Sequence, residues 1–150
     1  MSYVPYAPNA QGLTEVLIDL KNAFPGIVAQ KVTGYETIAF ENLNQGDAVY
    51  SRASDGQIGK AIASSTLDKA FVAGFVETSV SQGQTAKVIV AGAIANSGLD
   101  AGDEYYLSAA SAGGIVKTPP STAGQYVTRV GEAVNTAQLV IRIEPPMLLS

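Results

Sequence analysis

The hydrophobic positions of this chain change period once. Leu13, Val16, Leu17, Leu20 and Phe24 recur at helical spacing, with Glu15, Asp19, Lys21 and Asn22 largely on the opposite face. Thr14 is placed to cap such a helix and Pro25-Gly26 to stop it. From Ile27 onward the apolar residues fall into short β-type runs between turn residues. This pattern predicts strands near 27–32, 36–40, 47–52, 57–61, 71–77, 86–91, 104–107, 115–117, 126–134 and 139–143. Gly34, Asp55-Gly56, Gly83, Ser97-Gly98, Gly113-Gly114 and Asn135-Thr136 mark the turns between them. Pro119-Pro120 cannot lie in a central strand, so 118–124 is expected to be a surface loop. The expected fold is all-β, a β-sandwich or barrel-like domain of about 8–10 short strands, preceded by an extended arm and one amphipathic α-helix.

Two stretches of the β region read as copies of each other. Leu43-Asn44-Gln45-Gly46-Asp47-Ala48-Val49-Tyr50 is matched by Leu99-Asp100-Ala101-Gly102-Asp103-Glu104-Tyr105-Tyr106. Gly56, Ile58 and Lys60 then correspond to Gly113, Ile115 and Lys117; Ala73-Gly74 to Val130-Gly131; and Val88-Ile89-Val90 to Leu139-Val140-Ile141. Each Gly-Asp pair suits a tight turn, where Gly accepts positive φ and Asp can bond the backbone. The strand that follows should bury Val49 or Tyr105 on one side and place Tyr50 or Tyr106 on the other. Duplication over about 43–90 and 99–141 would give two units packed as a pseudo-symmetric two-sheet body; convergence on common hairpin chemistry is the alternative.

The organisation that follows is an arm and helix over 1–26, a β domain over 27–143 and a tail over 144–150. Tyr3 and Tyr6 alternate with prolines, which favours an extended segment that either frays or docks. The helical stripe of Leu13, Val16, Leu17 and Leu20 must be buried, either on the chain's own sheet or on a partner. Past the Pro145-Pro146 stop, Met147, Leu148 and Leu149 either fold back on the domain or clasp a neighbour, and an apolar end of this kind favours the clasp. These nine residues are the candidate interface.

Composition narrows the chemistry. The chain carries no histidine and no cysteine, which removes the commonest general base, the usual partner of a nucleophilic serine and any thiolate metal site. A net charge of −4 provides no basic face for nucleic acid. No apolar run reaches the about 18 residues of a membrane helix, and Met1 to Pro5 lack the basic start of a secretory signal. Charged residues make up only 15%, below the roughly 25% of an ordinary soluble domain, a surface better suited to an assembly.

The remaining candidates for chemistry are sparse. Asp100, Asp103 and Glu104 could form a loop site for a hard cation, but their first-copy counterparts are Asn44, Asp47 and Ala48, so a solvated turn is the better reading. Asp47 with Glu41, or Glu77 with Glu132, could be paired as glycosidase carboxylates only if the fold brought them together. Lys60 and Lys117 fit strand-edge guards better than Schiff-base lysines. The glycines form neither a phosphate loop nor a dinucleotide fingerprint. No catalytic residues, cofactor or metal are therefore expected.

The second copy also carries a family resemblance. Gly98-Leu99-x-x-Gly102-x-x-Tyr105-Tyr106-Leu107-Ser108, Gly113-Gly114-Ile115, Thr118-Pro119-Pro120, Gly124-Gln125-Tyr126-Val127, Val130-Gly131-Glu132-Ala133 and Leu139-Val140-Ile141 together resemble a β domain of tailed-bacteriophage virion proteins, both capsid decoration (cement or head-fibre) proteins and tail-fibre knobs. The resemblance spans roughly 36–143 and is best defined over 98–141. It implies a non-enzymatic, commonly trimeric module of the virion with no cofactor, attached through a segment outside the β domain. The expected function is decoration of a capsid by bridging neighbouring subunits, with the major capsid protein or another virion protein as partner. The alternative is a tail-fibre tip in which the loop 109–124 and Tyr126 touch a host glycan. A virion polysaccharide-degrading enzyme is disfavoured by the missing histidine and the scattered acids.

Overall fold

A computed structural model describes residues 33–150. The strands are β1 (Thr33–Ile38), β2 (Ala48–Ser51), β3 (Ile58–Lys60), β4 (Gly74–Val76), β5 (Thr85–Ala95), β6 (Glu104–Leu107), β7 (Ile115–Val116), β8 (Tyr126–Val127), β9 (Arg129–Asn135), β10 (Gln138–Ile141) and β11 (Met147–Leu148). One helical turn, α1 (Leu67–Ala70), is the only helix among the described residues. The all-β expectation holds. Nine strands form one antiparallel sheet in the order β3-β2-β4-β5-β10-β9-β6-β7, with β1 also on β5, and the sheet curls into a half-barrel. The remaining pair, β8 and β11, is a two-stranded ribbon.

The pairings within the two repeated stretches correspond residue for residue. Tyr50 lies opposite Gly59 in the first hairpin, and Tyr106 opposite Val116 in the second. Val49 faces Gly74 and Tyr105 faces Gly131 on the next strand. Phe75 then pairs with Ile89, as Glu132 pairs with Val140. The turns match as well. Gly46 and Gly102 sit at φ 86 and 87, and their N–H groups donate to Val76 and Ala133 at 2.9 and 2.7 Å. Even β1 has a counterpart. Tyr35 pairs with Val88 on β5, and Ile94, in the second half of β5, pairs with Leu139 on β10.

The 11-residue strand β5 is thus the last strand of one unit and the first of the next. That continuity is why one sheet forms where the sequence suggested two. Gly92, at φ 101, marks the junction between these two roles. Ile89 and Ile94 both enter the large core, although they are an odd number of residues apart and strict alternation would put them on opposite faces.

The two units use their faces differently. Val49, Val76 and Val88 fill a small core with Ala39, Leu43, Ile58 and Ala86, whereas their counterparts Tyr105, Ala133 and Leu139 line the large core. On the other face, Ala48, Phe75 and Ile89 enter the large core. Of their counterparts, Glu104 is exposed and Glu132 half-buried, while Val140 is buried. The front of the second unit therefore packs on the back of the first. Each fully buried side chain such as Phe75 contributes about 1.5–3 kcal/mol to that stack. Tyr50 lies on the face opposite Val49 as expected, and it is buried there, 7% exposed within the large core with Phe40 edge-on at 5.8 Å, while Tyr106 is only partly covered.

Other boundaries moved for physical reasons. The predicted strand over 71–77 begins only at Gly74, because the Phe71 N–H closes α1 on the Asp68 carbonyl at 3.3 Å. The strand over 126–134 is broken at Thr128, which turns inward. The tail over 144–150 contains β11, so the described strands number eleven, above the expected range. The predicted strand 27–32 and the helix lie outside the described residues.

Candidate functional site: an apolar corner built on one short strand

The corner is built upward from β8. The Tyr126 N–H donates to the Ala63 carbonyl at 2.9 Å, tying this strand to the loop that leads into α1. Two residues on, the wholly buried Thr128 donates its Oγ1 hydroxyl to the Ala70 carbonyl at 2.7 Å. Thr66 caps α1, its Oγ1 accepting from the Lys69 N–H at 3.4 Å, and Ala70 is the buried residue of the turn. A four-residue helix with one buried side chain leaves the rest outside. Leu67 is 52% exposed and Phe71, at the end of the turn, is 54% exposed.

The chain's last strand lies along β8. Met147 is opposite Val127 and Leu148 opposite Tyr126. The Leu149 N–H donates to Gln125 and its carbonyl accepts from Gly124, both at 2.8 Å. The tail backbone is therefore held against its own domain, while Met147 and Leu148 remain 64% and 59% exposed. Leu149 is half-buried. Exposed large apolar residues among those described are Tyr35, Leu67, Phe71, Val134, Met147 and Leu148, and four of the six stand on the two elements packed on β8. A scattered exposed leucine means little, but exposed apolar side chains on two elements that both pack on β8 make those elements candidate contact surfaces.

The acids singled out in the sequence are engaged elsewhere. Lys117 lies between Asp100 and Asp103, in direct contact with Asp100 and 3.5 Å from the Asp103 carboxylate. Contact with Asp100 raises the Lys117 ammonium above its ordinary pKa. Glu104 accepts from Arg129 at 2.7 Å, and Glu144 from the same guanidinium at 3.1 Å. Glu41 accepts from the Lys60 backbone N–H at 2.8 Å, and Asp47 from the Asn44 N–H at 2.8 Å. Burial raises the Asp47 carboxyl, opposed by that N–H and by Lys60, with Glu41 adding to the rise. Glu77 pairs with Lys87 at 3.6 Å and Glu132 with Arg142 at 3.8 Å, so these two acids are held in separate ion pairs. Among the described residues, no three acids converge as a metal site would need. A polar cleft lined by Asp103, Glu104, Tyr106, Lys117 and Pro119 lies on the outer face of the second unit.

Of the candidate interface residues, Met147, Leu148 and Leu149 are at the corner; Tyr3, Tyr6, Leu13, Val16, Leu17 and Leu20 lie outside the described residues. Sequence reasoning missed Leu67 and Phe71. Their signal was Leu67 directly after a Ser-Ser-Thr run that can cap a turn, but four residues carry no periodicity. No family model matches the chain, and no curated protein matches it.

Proposed function

We propose that this chain is a non-enzymatic structural protein of a tailed-phage virion, which decorates the capsid exterior as a homotrimer and bridges neighbouring capsid subunits. The observation that carries the reading is the display of Met147 and Leu148 on a backbone already paired to β8. Such side chains are carried on a strand of defined register, so their spacing is set before a partner meets them. Leu67 and Phe71 add exposed apolar surface on the other element that packs on β8. The acids singled out in the sequence are tied to lysines, arginines and backbone N–H groups, which favours scaffold over catalyst. The residue-for-residue match of the two units supports an origin by duplication, and the sequence resemblance to virion β domains supports the virion role. No cofactor, nucleic acid or membrane enters this reading.

Labelling the chain on intact particles tests it. Label over the capsid is expected, and label only at the tail overturns decoration. The second reading, a tail-fibre tip contacting a glycan, is favoured by the cleft that sets Tyr106 and Pro119 beside Glu104 and Lys117, since an aromatic face beside polar groups suits a sugar. Glycan-array binding that is lost in Tyr106→Ala or Tyr126→Ala would select that reading.

A further inference from the structure

We propose that β11 exchanges between copies of this chain, so that Met147–Leu148 of one copy pairs with β8 of the next. This names the partner at the apolar corner as a second copy and rests on reading that corner as an interface. Four observations lead to it.

The strand is weakly bound where it lies. It pairs over two residues, flanked by the two hydrogen bonds of Leu149, and both of its large side chains face outward. An isolated two-stranded pairing is marginal in water. Its attachment to the body ends just before it. The Arg142 N–H donates to Val130 at 2.9 Å and the Glu144 N–H to Arg129 at 3.0 Å, which fixes the chain as far as Glu144. Pro145-Pro146 then intervenes, with no N–H to hold it to the sheet. The segment beyond the body is thus a stiff two-residue hinge followed by an apolar strand.

The acceptor for such a strand is also on every copy. Any site that pairs with its own β11 pairs equally well with a neighbour's, which makes exchange of an identical element a low-cost route to assembly. From Glu144 to Met147 the chain reaches about 10 Å at most, so the neighbour's β8 must come close to the hinge. Exchange is head-to-tail and closes into a ring where the rotation between copies permits, which fits the proposed trimer.

The chain has no cysteine, so engineered thiols report without background. Val127 and Met147 are register partners. In the double variant Val127→Cys/Met147→Cys, oxidised in the native state and run without reductant, covalent multimers are expected. A monomer lighter by two hydrogens overturns the exchange. Light scattering on the full chain and on a chain ending at Pro146 provides a second measure. A multiple of the monomer mass that falls to the monomer on truncation is expected; a monomeric full chain, or an oligomer indifferent to truncation, overturns it. Occupancy of Met147→Ser/Leu148→Ser on particles separates the two levels of the argument. Lost occupancy with only internal cross-links would defeat exchange and leave the interface standing, whereas unchanged occupancy would defeat the interface itself.

Discussion

The Thr128 hydroxyl donates to the Ala70 carbonyl at 2.7 Å across 58 residues of sequence, with Thr128 completely buried. That bond joins the short helical turn of the first unit to the strand break of the second. Thr128→Val keeps the shape but leaves a buried carbonyl without this donor. A loss of about 1–3 kcal/mol in chemical denaturation is expected, with Thr128→Ser retaining most of the stability. Wild-type stability in Thr128→Val would mean that the bond does not hold the corner.

The bond also marks what the sequence could and could not reveal. The alternation in 104–107 and the glycines at Gly56 and Gly113 made both hairpins readable, and the matched spacing of Leu43 and Leu99 revealed their common register. Alternation assigns two faces to a strand but does not say what covers each. It could not tell that Val49 enters the small core while Tyr105 enters the large one. Thr128 lies inside an apolar run and reads as one more strand residue; only its distant partner turns it inward. At the corner, Met147 to Leu149 were legible as an apolar end, but β11 was not, because two paired residues carry no alternation.

A second prediction concerns close backbone approach. A Cβ on Gly131 would lie 2.3 Å from the Val140 carbonyl oxygen, and one on its counterpart Gly74 would lie 2.6 Å from that of Ile89. Backbone in the middle of a sheet cannot give way cheaply. Gly131→Ala and Gly74→Ala are each expected to lose about 1–3 kcal/mol of stability, read from denaturation midpoints. If either were neutral, the sheet would be looser at that crossing than the spacing shows.

Asp47 gives a pH dependence of definite sign. Burial raises its carboxyl in the folded protein, despite the Asn44 N–H and Lys60, so the folded state holds the proton more tightly than the unfolded chain. Below the ordinary aspartate range both states are protonated and the folded state loses nothing. As pH rises through the raised value, the buried group must ionise and stability falls. Asp47→Asn has no such proton. The stability of wild type relative to Asp47→Asn should therefore be greatest in acid and decline toward neutral pH. Urea titrations of both proteins across that interval provide the measurement, and a constant difference would remove Asp47 as the cause.

The junction at Gly92 yields the most demanding prediction. At φ 101 an alanine is strained by on the order of 1–3 kcal/mol. Relaxing that strain toward ordinary strand geometry would restore alternation and rotate Ile94 out of the large core, where it is now 4% exposed. Gly92→Ala should therefore destabilise by one route or the other. The two routes differ in a double-mutant cycle with Ile94→Ala, which alone should lose about 2–5 kcal/mol as a buried deletion. If Gly92 acts by aiming Ile94, the double variant loses clearly less than the sum of the singles, because the side chain that would be misdirected is already gone. Strict additivity would assign the cost to backbone strain alone. Gly92 would then not be what points both Ile89 and Ile94 into one core.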